Sequence, residues 1–173
     1  MTKKTATLGL FTAIAIIFGY LETLLPVFAG IPGIKLGLAN LSVLFVLERY
    51  AFKEALLVSA IRIVVIGFLF TNVFSILYSL AGALLSMTVM EIMIRRTRSS
   101  IYAISMAGGI THNIGQLIIA CFLVRNSVLL YYAPVLMITG ILTGSLIGYL
   151  TTETLRRVPG GKVRSLGEED SIH

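Results

Sequence analysis

Residues 105–116 read Ser-Met-Ala-Gly-Gly-Ile-Thr-His-Asn-Ile-Gly-Gln, inside an apolar run from Ile101 to Val124. A run of about 20 residues or slightly more is the length of a helix that crosses a bilayer. On a helical wheel Ser105, Gly108, Gly109, His112 and Gln116 share one face, while Ile104, Ile110, Ile114, Leu117 and Ile118 lie mostly elsewhere. A helix surrounded by lipid would not carry His, Asn and Gln near its middle, because each costs free energy there without a partner. This helix therefore has an inward face, and the fold expected around it is a membrane bundle with something polar inside.

Composition points the same way. The chain has 173 residues, 57% hydrophobic and 13% charged, with a mean hydropathy of +0.94. A soluble domain would carry about 25% charged residues. The net charge of +6 sits at the ends of apolar runs rather than in one basic patch, which argues against nucleic-acid binding. Cys121 is the only cysteine, so neither an intramolecular disulfide nor a multi-cysteine metal site can form. The start, Met1-Thr-Lys-Lys, is basic, and the apolar run behind it is too long for an ordinary cleaved signal, so it reads as a retained first span.

Six spans are expected, over residues 5–25, 36–50, 54–70, 72–94, 101–124 and 129–155. The predicted fold is thus an all-α, polytopic membrane protein, a six-transmembrane-helix bundle occupying residues 1–157, with a polar, disordered tail over 158–173. A Gly/Pro-rich loop, 26–33, joins the first two spans, and because the second is short, part of that loop is expected at membrane depth. With the N-terminus inside, one face collects Lys3, Lys4, Arg49, Lys53, Arg95, Arg96, Arg98, Arg156, Arg157, Lys162 and Arg164, against Lys35 and Arg125 on the other. The bias places both termini in the cytoplasm and the chain in a bacterial cytoplasmic membrane.

Small residues recur at helical spacing. Gly140, Gly144 and Gly148 lie on the sixth span, and Gly9, Ala13, Ala15 and Gly19 on the first. Such stripes let helices approach closely in lipid. The sixth-span stripe reads as internal packing; the first-span set reads as internal packing as well or as a face for docking a partner.

This topology gathers the polar groups. Asn72, Ser75, Tyr78 and Ser79 fall in the outer half of the fourth span, Lys35 and Asn40 at and below the outer end of the second, and Glu22 near the outer end of the first. His112 lies near mid-depth on the fifth, with Asn113 beside it and Gln116 above. The pattern predicts an outward-opening cavity lined by helices one, two, four and five. The same residues have plainer readings: the serines as packing residues, Lys35 and Glu22 as an ion pair across the first loop, His112 as a hydrogen-bonded bundle histidine. Arg62 is the only basic residue well inside a span and needs a carboxylate, a carbonyl cluster, water or a ligand anion. Glu91 is the partner expected by depth, with Glu48 next, and the pair reads as structural or as a coupling element.

Catalysis is not expected. A prenyl-diphosphate synthase holds magnesium diphosphate with clustered aspartates, and the only aspartate here is Asp170, in the tail. No two glutamates share a site within a span, and there is no phosphate-binding loop of the Walker type. The second histidine is His173, so haem ligation by two histidines of one chain is not expected, and no cofactor is predicted.

The segments 8–22, Pro32-Gly-Ile-Lys-Leu-Gly-Leu-Ala-Asn40, 75–86 and His112-Asn-Ile-Gly-Gln116 together resemble the Gx transporter family, also labelled heptaprenyl diphosphate synthase component I. That family is similar to the substrate-binding S components of energy-coupling factor transporters. The resemblance implies six helices, a ligand site near the outer face, and a small-residue docking face on the first helix, matched here by Ala13, Ala15 and Gly19. It implies a coupling transmembrane subunit and ATPases as partners. It also points to a flavin- or quinone-linked redox partner in membrane electron export. The expected function is capture of a small vitamin-, flavin- or quinone-like molecule. The alternative is a non-transporting accessory subunit of an electron-export system.

Overall fold

The structure, a computed structural model, describes residues 3–24, 37–158 and 163–165. Lys35 and the loop 26–33 lie outside the described residues, as does most of the tail. The described residues form helices α1 (Lys3–Leu24), α2 (Leu38–Arg49), α3 (Phe52–Phe70), α4 (Val73–Arg96), α5 (Ile101–Val124) and α6 (Ala133–Arg157), with a 3-10 turn, Ser127–Tyr132, leading into α6.

Helix boundaries follow local chemistry. Asn72 caps α4 by accepting the Ser75 N–H at 2.8 Å, and Ser100 caps α5 by accepting that of Ala103 at 3.3 Å. Helix α5 ends at Arg125 in the left-handed conformation. The sixth apolar run is broken where one helix was expected, because Pro134 in the first turn of α6 lacks an N–H and suits only a helix start.

Helix α5 is the central strut, packed against α4 on one side and α6 on the other. Its glycines make this possible. A Cβ on Gly109 would meet the Gly140 carbonyl oxygen at 2.3 Å, and one on Gly115 would meet the Ala81 carbonyl oxygen at 2.9 Å. Gly144 and Gly148 continue the α6 seam against Ser105, Met106 and Tyr102, so the sixth-span stripe packs inside the bundle. Helix α2 runs through the interior, with nine of its 12 residues buried, and Phe45 stacks on Phe11 of α1 with ring centroids 4.0 Å apart. A short helix apolar on all sides needs such enclosure.

The outside is apolar. Phe68, Phe74, Phe122, Leu142 and Tyr131 are all more than half exposed, a surface suited to lipid. Four stretches, Lys3–Leu24, Val73–Arg96, Ile101–Val124 and Ser127–Arg157, are long and apolar enough to cross a membrane. The chain is a multi-pass membrane protein. The other two expected spans differ from these. Helix α2, with 12 residues, is about 18 Å long, well short of a hydrocarbon core of about 30 Å. Helix α3 has the length but carries Lys53, Glu54 and Arg62.

The end of the bundle holding the basic residues is tied together. Lys4 of α1 pairs with Glu54 of α3. Arg49 donates to the Val158 carbonyl at 2.5 Å, meeting an acceptor at the C-terminus of α6. The tail, expected to be disordered from residue 158, has a docked segment at Val163–Ser165. Val163 is buried, Arg164 Nη1 and Nη2 grip Glu91 at 2.9 and 2.8 Å, and the Ser165 N–H donates to Glu48 at 3.0 Å.

Candidate functional site

At the opposite end of the bundle, the last turns of α1 and α3 and the first of α2 and α4 surround a cavity, completed by α5 and α6. Its volume is about 70 Å³, and its lining includes Glu22, Asn40, Arg62, Thr71, Ser75, Ser79, His112, Asn113, Gln116 and Thr143. At roughly 15 Å³ per ordered water, that is room for about five waters or one small polar group. A second cavity of about 40 Å³ continues toward the basic end, past Ser59, Ser86 and Ser105. Gly37, Asn40, Gly109, His112 and Thr143 line both, so His112 and Asn40 stand where the two voids meet.

Each wall has a local cause. Gly37 precedes α2 with φ of 76°, a conformation glycine alone adopts freely, and the turn delivers Asn40 to the cavity. Glu22 reaches from α1 to accept the Leu38 N–H, so it satisfies one of the open donors at the start of α2 while lining the cavity. Gly82 lets α4 lie close to the His112–Gln116 turn, since a Cβ there would stand 2.8 Å from the His112 carbonyl oxygen. Asn113 lines the cavity, but its amide donates to the Leu136 carbonyl at 2.7 Å and ties α5 to α6.

Arg62 is the cation of this site among the described residues. It projects from α3, and its Nη2 donates to Asn40 Oδ1 at 3.3 Å, a long bond near the limit of useful geometry. Its buried Nε has no hydrogen-bond partner among the described residues. Glu22 is near enough for its charge to act on the guanidinium. A buried donor left unmet costs about 1–3 kcal/mol, and more on a charged group.

The expected site residues divide. Glu22, Asn40, Ser75, Ser79, His112, Asn113 and Gln116 do come together around one cavity. Asn72 and Tyr78 are not in its lining: Asn72 is exposed and turned back on its own helix as a cap. The Arg62–Glu91 pair is not formed. Arg62 lies on the last three turns of α3, at the cavity end, whereas Glu91 sits at the basic end and is held by Arg164 and Arg95. Helices α3 and α6 were not expected as walls. The position of Arg62, four residues before Ile66 and five before Gly67, was the available signal for α3, because those residues line the cavity with it.

The proposed docking set also divides. Gly9 and Ala13 are exposed, whereas Ala15 and Gly19 are buried, with Gly19 packed on Ile66 and Ala39. Ala15 and Gly19 serve the bundle itself. Their offset from Gly9 and Ala13 by six residues, between whole turns of a helix, puts the two pairs on different faces.

The chain belongs to the heptaprenyl diphosphate synthase component I family, whose model matches residues 11–154. The match spans every lining residue of the cavity and stops before Arg164. No curated protein and no solved structure matches the chain.

Proposed function

We propose that this chain is a membrane-embedded binding subunit that captures a small molecule in the cavity between α1 and α6, in the manner of an S component of an energy-coupling factor transporter. The observation that carries this reading is the convergence of Asn40, Arg62, Ser75, Ser79, His112 and Gln116 on one cavity inside an otherwise greasy bundle. Polar groups turned inward on four helices, Ser75 and Gln116 buried and the others partly so, are costly in lipid unless something polar occupies the space between them. In this reading the six helices form one membrane domain and both termini face the cytoplasm, so that the cavity opens outward.

The chain has no nucleotide-binding loop, so movement of the molecule across the membrane would depend on a coupling subunit with ATPases. Gly9 and Ala13, exposed on α1, are the residues offered for that contact. The family description names a synthase component, but prenyl transfer needs carboxylate clusters for magnesium diphosphate. Among the described residues Glu22 is the only carboxylate in the lining, and it is engaged by Leu38. The chain is therefore read as non-catalytic.

A second reading is a non-transporting accessory subunit, here of a flavin- or quinone-linked system; the word component in the family description supports the existence of a partner subunit and not its chemistry. One experiment separates them. Protein purified gently from its membrane is analysed by mass spectrometry for bound small molecules and for co-purifying proteins. A molecule released from the wild type and lost from His112→Ala and Asn40→Ala, together with ATPases, supports the binding subunit. A redox partner and no cavity-dependent molecule supports the accessory subunit.

A further inference from the structure

Arg62 is not explained by bundle packing. An arginine stays charged at any physiological pH, and this one points its guanidinium into a cavity inside the bundle. Its Nη2 has a single long bond to a neutral amide, and its Nε–H is buried and unmatched among the described residues. The carboxylate of Glu22 attracts it across the cavity but is committed to the α2 backbone through Leu38. The same cavity is also lined by the amides of Asn40 and Gln116, the hydroxyl of Ser79 and the apolar Ile63 and Ile66.

Resting on the binding-subunit reading, we propose that Arg62 is the anchor for a carboxylate on the captured molecule, which makes the ligand class small organic acids. A carboxylate offers two coplanar acceptors, the shape that a guanidinium edge satisfies with two parallel bonds. It would take up the unmatched Nε–H, with Asn40 holding the guanidinium through a hydrogen of Nη2. Ile63 and Ile66 leave an apolar margin for the carbon skeleton. The cavity volume restricts the buried portion of the acid to a small group.

The test compares acids with their own amides, which match in shape and differ in charge. Binding of benzoate and benzamide, and of pentanoate and pentanamide, is measured by calorimetry and thermal shift on the full chain in lipid nanodiscs. Wild type, Arg62→Met and Asn40→Asp are compared. The wild type is expected to favour each acid over its amide by on the order of tenfold or more, the scale of one charge-assisted pair. Arg62→Met loses that preference. Asn40→Asp, which places a carboxylate beside the guanidinium, folds with a raised melting temperature and also loses acid binding. Equal binding of acids and amides by the wild type, or an acid preference that survives in Arg62→Met, overturns the assignment and leaves the binding-subunit reading standing. No binding of either acid overturns it as well. In that case the broader reading is judged separately, by the molecule that travels with the purified protein.

Discussion

The guanidinium of Arg62 on α3 donates to the side-chain oxygen of Asn40 on α2 at 3.3 Å, with both groups in the cavity wall. This contact joins a charge the membrane disfavours to a short helix that cannot cross the membrane alone. Asn40→Leu removes the acceptor and leaves the charge without its only side-chain hydrogen bond among the described residues. A loss of about 1–2 kcal/mol is expected, read as a lower melting temperature in detergent, because losing a partly buried polar contact strands the surviving partner. Arg62→Met in the same background should recover most of that loss, since it removes the stranded charge.

The α5–α6 seam depends on bare backbone. Gly109→Val would drive side-chain atoms into the Gly140 carbonyl, which already lies 2.3 Å from where a Cβ would be. Overpacking of this kind costs about 1–3 kcal/mol or more, and the seam lacks a flexible side chain that could yield. Gly9→Val on α1 is the control: a Cβ there meets nothing within 4 Å, so the melting temperature should hardly change.

The same contrast tests partner docking. Ala13→Leu, on the exposed side of α1, should leave the fold intact and reduce recovery of any co-purifying coupling subunit. Ala15→Leu should instead destabilise the chain itself, by about 1–3 kcal/mol, because Ala15 is fully buried. Thermal melting and pull-down of the two variants side by side distinguish the faces. Equal loss of partner with unchanged stability in both would remove the distinction.

Arg164 and Glu91 fasten the far end. Their two bonds, 2.8 and 2.9 Å, hold Val163–Ser165 against the ends of α2 and α4. The carboxylate also raises the affinity of the Arg164 guanidinium for its proton above an already high value, so the arginine stays charged throughout the working pH range. Glu91→Gln should free this segment and speed its cleavage in limited proteolysis, at a cost of about 1–3 kcal/mol for the docked state. The double exchange Glu91→Arg with Arg164→Glu should restore part of the protection.

The sequence made the helices legible because their hydrophobic runs are long, but not all their starts were: the sixth run was read through Pro134, where α6 begins. The cavity was legible in part, since His112, Gln116, Ser75 and Asn40 are polar where lipid would forbid them. Partner choice was not. Depth along a span suggested Glu91 for Arg62, but depth carries no information about which helices touch, and the cavity-end position of Arg62 instead set Asn40 and Glu22 beside it. Asn72 was misread for the opposite reason: it lies at a helix start, where a short polar side chain turns back to cap its own backbone. The tail looked featureless because the docking of Arg164 depends on a long-range meeting with α2 and α4 that no local pattern announces.

The proposed cavity opens outward and receives a small molecule. It is tested most directly by thiol labelling of Ser79→Cys in a chain whose Cys121 has been replaced by serine. A small membrane-impermeant methanethiosulfonate reagent is added from the outer side of intact cells or right-side-out vesicles. The account predicts rapid labelling from outside, little from inside, and protection by the molecule that co-purifies with the wild type. Labelling only from the cytoplasmic side, or labelling from outside that no bound molecule slows, would contradict it.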